Sequence, residues 1–355
     1  MYRYRVPVSI KEVAAHAGVS VATVSNVLNR PDVVAEATRE RVNASIQELG
    51  FVRNESARQL RAGRSRMIGL VVLDVANPFF TDLARGVEDE ASKAGLAVIL
   101  CNSDDQESKE ARYLELLEEH RVQGVLITPG AGAGARLEAL RRRGVPAVLV
   151  DRRSDSDDQC SVSVDDVRGG DLAVSHLLAG GHQRIAYVSG PSAVRQVADR
   201  REGALRALDR AGRAAGELRV IEASGLNVAA GQRAGATVAG TSADARPTAV
   251  FCANDLIALG VLQELTRSRI RVPEDVALVG YDDIDFAAAA AVPLTSVRQP
   301  RQDLGRTAAR LLLEEAAADA GHEPAAGVHE HSQVVFQPEL VTRESTLGPH
   351  SQGGW

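Results

Sequence analysis

The sequence predicts an N-terminal all-α head built on a three-helix helix-turn-helix, then a hinge helix, then a two-lobed α/β body with parallel sheets. Three observations carry this. Residues 1–66 hold 11 Lys/Arg against 6 Asp/Glu, a balance of +5, while the rest of the 355 residues hold 30 against 41, or −11. Apolar residues before and after Gly18 recur at helical spacing. From Met67 onward, short apolar runs alternate with amphipathic helical stretches. A basic head on an acidic body suits a head that meets a polyanion and a body that does not. The chain is also too long for one typical domain. It is 45% apolar and 25% charged, as globular proteins are.

In the head, Ile10, Val13, Ala14 and Ala17 mark a first helix. Gly18-Val19-Ser20 reads as a tight turn, with Ser20 placed to cap the next helix. In that second helix Val21, Val24 and Leu28 are expected to share one face, and Ala22, Asn26 and Asn29 another. A third helix is expected over 36–49. Two helices joined by a glycine-containing turn, with a supporting third, form a helix-turn-helix, whose second helix enters the DNA major groove. Ala22 and Thr23 allow close approach, Asn26 offers an amide to a base edge, and Ser25 and Asn29 suit phosphates. The arginine-rich stretch 53–66 follows. Leu60, beside Ala57 and Arg61, suits a short helix whose leucine wedges into the minor groove.

In the body, MIGLVVLDV, LAVILC, GVLIT and PAVLVD form one strand series, and RIAYVSG, LRVIEA, TAVFCAND and DVALVGYDD a second. The alternation with helices implies two parallel sheets, whose ligands bind beyond the strand C-termini. Asn77-Pro78-Phe79-Phe80, Asp151-Arg152, Asn254-Asp255 and Asp282-Asp283 stand at those ends. Flat apolar faces ringed by carboxylate, amide and guanidinium groups suit a sugar, whose C–H faces stack while its hydroxyls need bidentate partners.

The chain resembles the lactose-repressor (LacI/GalR) family of bacterial transcription regulators. The matching motifs are VxxxAGVSxxTVSxVxN at 13–29, TRERV at 38–42, GFxxNxxARxLR at 50–61, GYDD at 280–283 and LTSVRQP at 294–300. The resemblance runs from about Ser9 to Glu344 and implies a periplasmic-binding-protein-like body. It divides the chain into a DNA-binding domain at 8–53, a hinge at 54–65, an effector-binding domain at 66–346 and a tail at 347–355. Within the effector domain, lobe 1 takes about 66–165 and 298–332, and lobe 2 about 166–297 and 333–346, so the chain crosses between lobes three times. By matching position, Ser20, Val21, Ala22, Thr23, Ser25, Asn26 and Asn29 would face palindromic operator DNA, with Ala57 and Leu60 in the minor groove. Asn77, Phe79, Phe80, Asp151, Arg152, Arg200, Asn254, Asp282 and Gln299 would contact the effector, in a pocket most like the ribose-type ones. An aromatic usual near Leu226 is missing. The resemblance implies a homodimer, or a tetramer, acting in the cytoplasm as a repressor.

One enzyme reading competes. Gly130, Gly132 and Ala135 fit a loose dinucleotide fingerprint after a strand, with Asp151 about 20 residues on. That would make a nicotinamide-nucleotide-binding regulator or a dehydrogenase. Against it, GAGAGA matches several registers, and the unit is not the first βαβ of its lobe. Elsewhere there is no GxSxG, HExxH or phosphate-loop lysine motif, so no enzyme, cofactor or metal is expected. Cys101, Cys160 and Cys252 read as buried thiols, and His329 and His331 in VHEHS as solvated loop residues. No run approaches the ~20 apolar residues of a membrane span, and the N-terminus is too short and polar for a signal peptide.

Overall fold

A computed structural model of the chain describes residues 8–52, 65–130, 132–319 and 329–347. Contacts divide the chain after Ser65 into two compact units. The expected hinge helix, with Ala57 and Leu60, lies outside the described residues.

In the first unit, α1 (Ile10–Ala17) starts where the Ser9 hydroxyl accepts from Glu12 N and the Glu12 carboxylate accepts from Ser9 N at 2.7 Å, a reciprocal cap. It ends at Gly18, whose φ of 61° is left-handed. Ser20 then caps α2 (Val21–Asn29), accepting from Thr23 N at 3.1 Å. A 3-10 turn, Pro31–Val33, leads to α3 (Glu36–Leu49). Val13, Ala14, Ala17, Val24, Val27 and Val42 make the core. The inner face of α2 is built on Val24 and Val27, with Leu28 packed beside them. Val21, at the start of the helix, is 41% exposed, as its expected place against DNA requires.

The second unit holds two sheets of six strands each. The first contains β1 (Met67–Val72), β2 (Ala97–Asn102), β3 (Val125–Ile127), β4 (Ala147–Val150), β5 (Ser161–Val164) and β11 (Gln333–Phe336), in the order β11-β5-β4-β3-β1-β2, all parallel. The second contains β6 (Ile185–Ser189), β7 (Leu218–Glu222), β8 (Ala249–Cys252), β9 (Ala277–Asp282), β10 (Thr295–Arg298) and β12 (Glu339–Val341), ordered β12-β10-β9-β8-β6-β7. Only β12 runs antiparallel there. Most strands are buried apolar runs, as strands covered on both faces must be.

In each sheet the order reverses at the first strand: β1 lies between β2 and β3, and β6 between β7 and β8. Such switch points open a crevice at the strand C-termini. The helices leaving those strands, α4 (Pro78–Lys93) after β1 and α8 (Arg195–Arg210) after β6, begin at the crevice. The late segment α12 (Arg301–Asp319) returns to the first lobe, where Leu304, Ala308 and Leu312 join the core of Leu83 and Val87. The final crossing falls later than the expected 332/333 boundary. Gln333–Phe336 pairs in parallel with Ser161–Val164 and stays in lobe 1, where it covers the edge that β5 would otherwise leave open. Lobe 2 is re-entered only at β12.

Candidate functional site

A cavity of about 60 Å³ lies between the two sheets. From lobe 1 it is lined by Leu73, Asp74, Asn77, Phe79, Phe80 and Asp151, and from lobe 2 by Val194, Gln196, Val197, Arg200, Leu226, Asn254 and Asp282, with Gln299 in the crossover. The structure thus brings together eight of the nine expected effector residues.

Arg152 is the exception. β4 ends at Val150, Asp151 takes a left-handed φ of 57°, and the next side chain turns away. Arg152 lines a separate surface pocket with Pro129, Gly130 and Ser154. Of the Asp151-Arg152 pair, only Asp151 therefore faces the cavity.

Residues missed in the sequence are Leu73, Asp74, Val194, Gln196 and Val197. Gln196 was findable: it sits four residues before Arg200 on one helix, hence on the same face. Its amide donates to the Asp151 carbonyl at 2.6 Å and to Asp151 Oδ2 at 2.9 Å, linking the lobes.

The electrostatics are those of buried charge. Arg200 is 5% exposed. Its Nε donates to Asp166 Oδ1 at 2.8 Å, its Nη1 to the Ala253 carbonyl at 2.6 Å, and its guanidinium lies 3.7 Å from the Tyr281 ring centre. A Cβ at position 170 would stand 1.9 Å from the Arg200 carbonyl, so Gly170 lets α8 approach closely enough to seat this arginine. Asp282 Oδ1 accepts from Gln299 Nε2 at 2.8 Å, and its Oδ2 lies 3.4 Å from Asn77 Nδ2 across the lobes. Burial raises the Asp282 pKa to about 6, against the opposing pull of Arg200 and these two amides. Burial pushes Asp151 well above the usual carboxylate range, with Asp166 adding to the rise and Arg200 opposing it.

Backbone strain gathers here too. Asp282 and Asp283 have φ of 102° and 52°, which with Asp151 puts three non-glycine residues in left-handed conformations at strand ends. Each costs ~1–3 kcal/mol, typical of residues held for a ligand. Asn77 and Asn254 also cap helices, accepting from Phe79 N at 3.0 Å and Ile257 N at 2.9 Å. Asp283 faces away, paired with Arg298 at 2.7 Å and Arg343 at 2.6 Å, so the adjacent aspartates do not present both carboxylates to one substrate.

What the cavity can do follows from its open groups. Asp151 Oδ1 and Gln299 Oε1 are buried and have no hydrogen-bond partner among the described residues. Both are acceptors while Asp151 is ionised, so they ask for O–H or N–H donors. Phe79 and Phe80, ring centres 5.0 Å apart and edge to face, supply the aromatic part of the lining.

The glycine loop of the competing nucleotide reading borders a surface pocket, but its Gly130 amide is occupied from within the protein. Gly130 N donates to Glu110 Oε2 at 2.8 Å, and a Cβ there would lie 3.3 Å from the Asp105 carboxylate. The amide that would cradle a phosphate is already taken, by a negative charge that would repel it. Asp151, the expected ribose acid, faces the other cavity.

On the head, Ser20, Val21, Ala22, Asn26 and Asn29 are exposed and Thr23 and Ser25 half-buried. Asn29 Nδ2 donates to the Ser25 carbonyl at 2.8 Å. No helix among the described residues is long and apolar enough to cross a membrane.

A helix-turn-helix head joined to a two-lobed, solute-sized crevice defines the class of ligand-controlled transcriptional regulators. Residues 9–54 match the bacterial regulatory proteins of the lacI family, and residues 174–346 the periplasmic binding protein-like domain. The HTH-type transcriptional repressor PurR of Aliivibrio fischeri (strain MJ11) is 34% identical over 340 residues, covering 96% of this chain and 98% of that protein. The lac repressor dimer bound to operator and the anti-inducer ONPF matches with a TM-score of 0.80 at 28% identity, covering 97% of this chain and all of that one. A LacI family transcriptional regulator from Enterococcus faecium with bound ribose matches at 0.70 and 32% identity, covering 79% and 98%. The chain belongs to the lacI family of bacterial regulators, and the fold class expected from its sequence is borne out.

Proposed function

We propose that this regulator is a cytoplasmic, homodimeric repressor that holds a palindromic operator and is governed by a small sugar of about ribose size. It performs no catalysis of its own. One observation carries the ligand class: a small cavity between the lobes lined by Phe79 and Phe80 together with buried carboxylate, amide and guanidinium groups. Aromatic faces suit the C–H side of a sugar ring, and unfilled acceptors suit its hydroxyls. The ribose-bound relative supports the same size class.

The mechanism is a change in lobe closure. Asn77–Asp282 and Gln196–Asp151 already bridge the lobes. A ligand donating to Asp151 and Gln299 adds bridges and shifts the closure equilibrium, with coupling of ~1–3 kcal/mol to the operator site. Dimerisation multiplies the few base pairs that one α2 can read. The exposed Ser20, Ala22, Asn26 and Asn29 are the proposed readers, with Leu60 as a minor-groove wedge.

Calorimetry against pentoses and hexoses, paired with fluorescence anisotropy on DNA upstream of the protein's own gene, tests this. We expect one pentose to bind and to release the DNA. Asp282→Ala should keep ligand-free DNA affinity and lose the response; a retained response would misplace the pocket.

A further inference from the structure

The segment that leads into β11 does something its sequence did not suggest. His329 and His331 are half-buried, not solvated, and alternate with the exposed Glu330 and Ser332. Residues two apart on an extended chain point the same way, so both imidazoles face inward. They meet Cys160, which is wholly buried. Strand pairing delivers the contact: Gln333 lies opposite Ser161, so the residues just before β11 arrive beside the residue just before β5. Cys160 Sγ lies 3.2 Å from His329 Nε2 and 3.6 Å from His331 Nδ1, and the two rings stand edge to face at 5.0 Å. The buried Glu315 of α12 completes the group, and one ligand atom from each of the four lies within 4.8 Å of all the others.

We propose that Cys160, Glu315, His329 and His331 form a structural site for one first-row transition-metal dication, zinc by preference. A thiolate, two imidazoles and a carboxylate match zinc's borderline character. Ligands at about 2.0–2.3 Å from a tetrahedral ion stand about 3.3–3.8 Å from one another. The His331 nitrogen lies within that range of the sulfur at 3.6 Å, and the His329 nitrogen just short of it at 3.2 Å, so the site needs only a slight opening to take the ion. Four protein ligands leave no open position, so the ion binds without catalysing. Ser332 N lies 3.4 Å from the sulfur and donates to it, the outer-shell support a metal thiolate requires. Binding releases the thiol proton to solvent and forms the metal–sulfur bond, with no change of oxidation state. The ion would fasten the edge strand of lobe 1 to β5 and α12, close to the last crossing between lobes. None of the four residues lines the effector cavity, and the site is independent of the effector's identity.

The test uses the full-length, untagged protein, stripped with a chelator and titrated with Co2+, then Zn2+. One cobalt per chain should appear with a thiolate charge-transfer band and the strong visible bands of tetrahedral cobalt. Zinc should displace it and raise the Tm. His329→Gln and His331→Gln, at half-exposed positions, should each weaken cobalt binding by more than the roughly 10–100-fold that outer-shell changes cost, and Cys160→Ser should abolish the charge-transfer band. Absence of that band in the natural protein, or unchanged affinity in both histidine variants, would overturn the site.

Discussion

The outer surface of α2 and the cavity between the lobes are both proposed binding surfaces, yet they are built on opposite physics. The first displays Ser20, Ala22, Asn26 and Asn29, small and uncharged, on a helix whose stability comes from Val24 and Val27 on its other side. The second buries Arg200, Asp151 and Asp282 together. Charge removed from water must be paired or be destabilising. On the head, then, the groups that read a partner are separable from the groups that hold the fold. In the cavity they are the same groups.

Substitutions can break that contrast, starting with the largest expected effect. Arg200→Leu leaves Asp166 buried without its cation and should cost ~3–5 kcal/mol, lowering the Tm by roughly 10 °C. Adding Asp166→Asn should restore part of it. An Arg200→Leu protein that melts normally would show the charge to be dispensable for folding.

Titration gives the next effect. The folded-state pKa of Asp282, about 6, lies above its ordinary value of 3.8. A raised carboxylate favours the folded state when protonated. The contribution, about 3 kcal/mol, is full below about pH 4 and lost as pH rises through about 6. Asp282→Asn should flatten the pH dependence of ligand-free stability between about pH 3 and 7 by that share, read from denaturant midpoints. Effector affinity should move oppositely, falling as Asp282 is protonated. An unchanged stability slope in the variant would place the titration elsewhere.

Asn26→Ala should lose ~1–3 kcal/mol at the operator, while stability stays within ~0.5 kcal/mol and random DNA is held as before. Equal losses on both DNAs would remove Asn26 as a base reader. The smallest effect falls where the head itself breaks the rule. Ser20 caps α2 as well as facing outward, so Ser20→Ala should cost ~1 kcal/mol of stability besides any affinity.

Most of this architecture could be read from the residues. The capping box at Ser9–Glu12, the left-handed Gly18 and the Ser20 cap are local devices, and local devices survive in sequence. The strand ends were legible because polar residues interrupt apolar runs at Asn77, Asp151, Asn254 and Asp282. What stayed hidden depends on distant pairing. Gln333–Phe336 reads as a short half-buried strand, and nothing nearby in the chain says which sheet it joins. Gln196 looks like any helix-start glutamine until α8 is set against Asp151. Arg152 was misplaced because strand alternation does not predict a left-handed step at Asp151. His329 and His331 were taken for loop residues because Cys160, 169 positions earlier than the first of them, is invisible from VHEHS.

The strand order of the two sheets has a consequence for how such a receptor can be remodelled. Each lobe is assembled from separated stretches of chain, and between β11 and β12 only Gln337 and Pro338 remain. No single cut frees one half, and no contiguous fragment carries a whole sheet. Trading lobes between relatives would require recombination at three junctions at once. New ligand tastes are therefore far easier to reach by point replacements at the crevice than by shuffling modules.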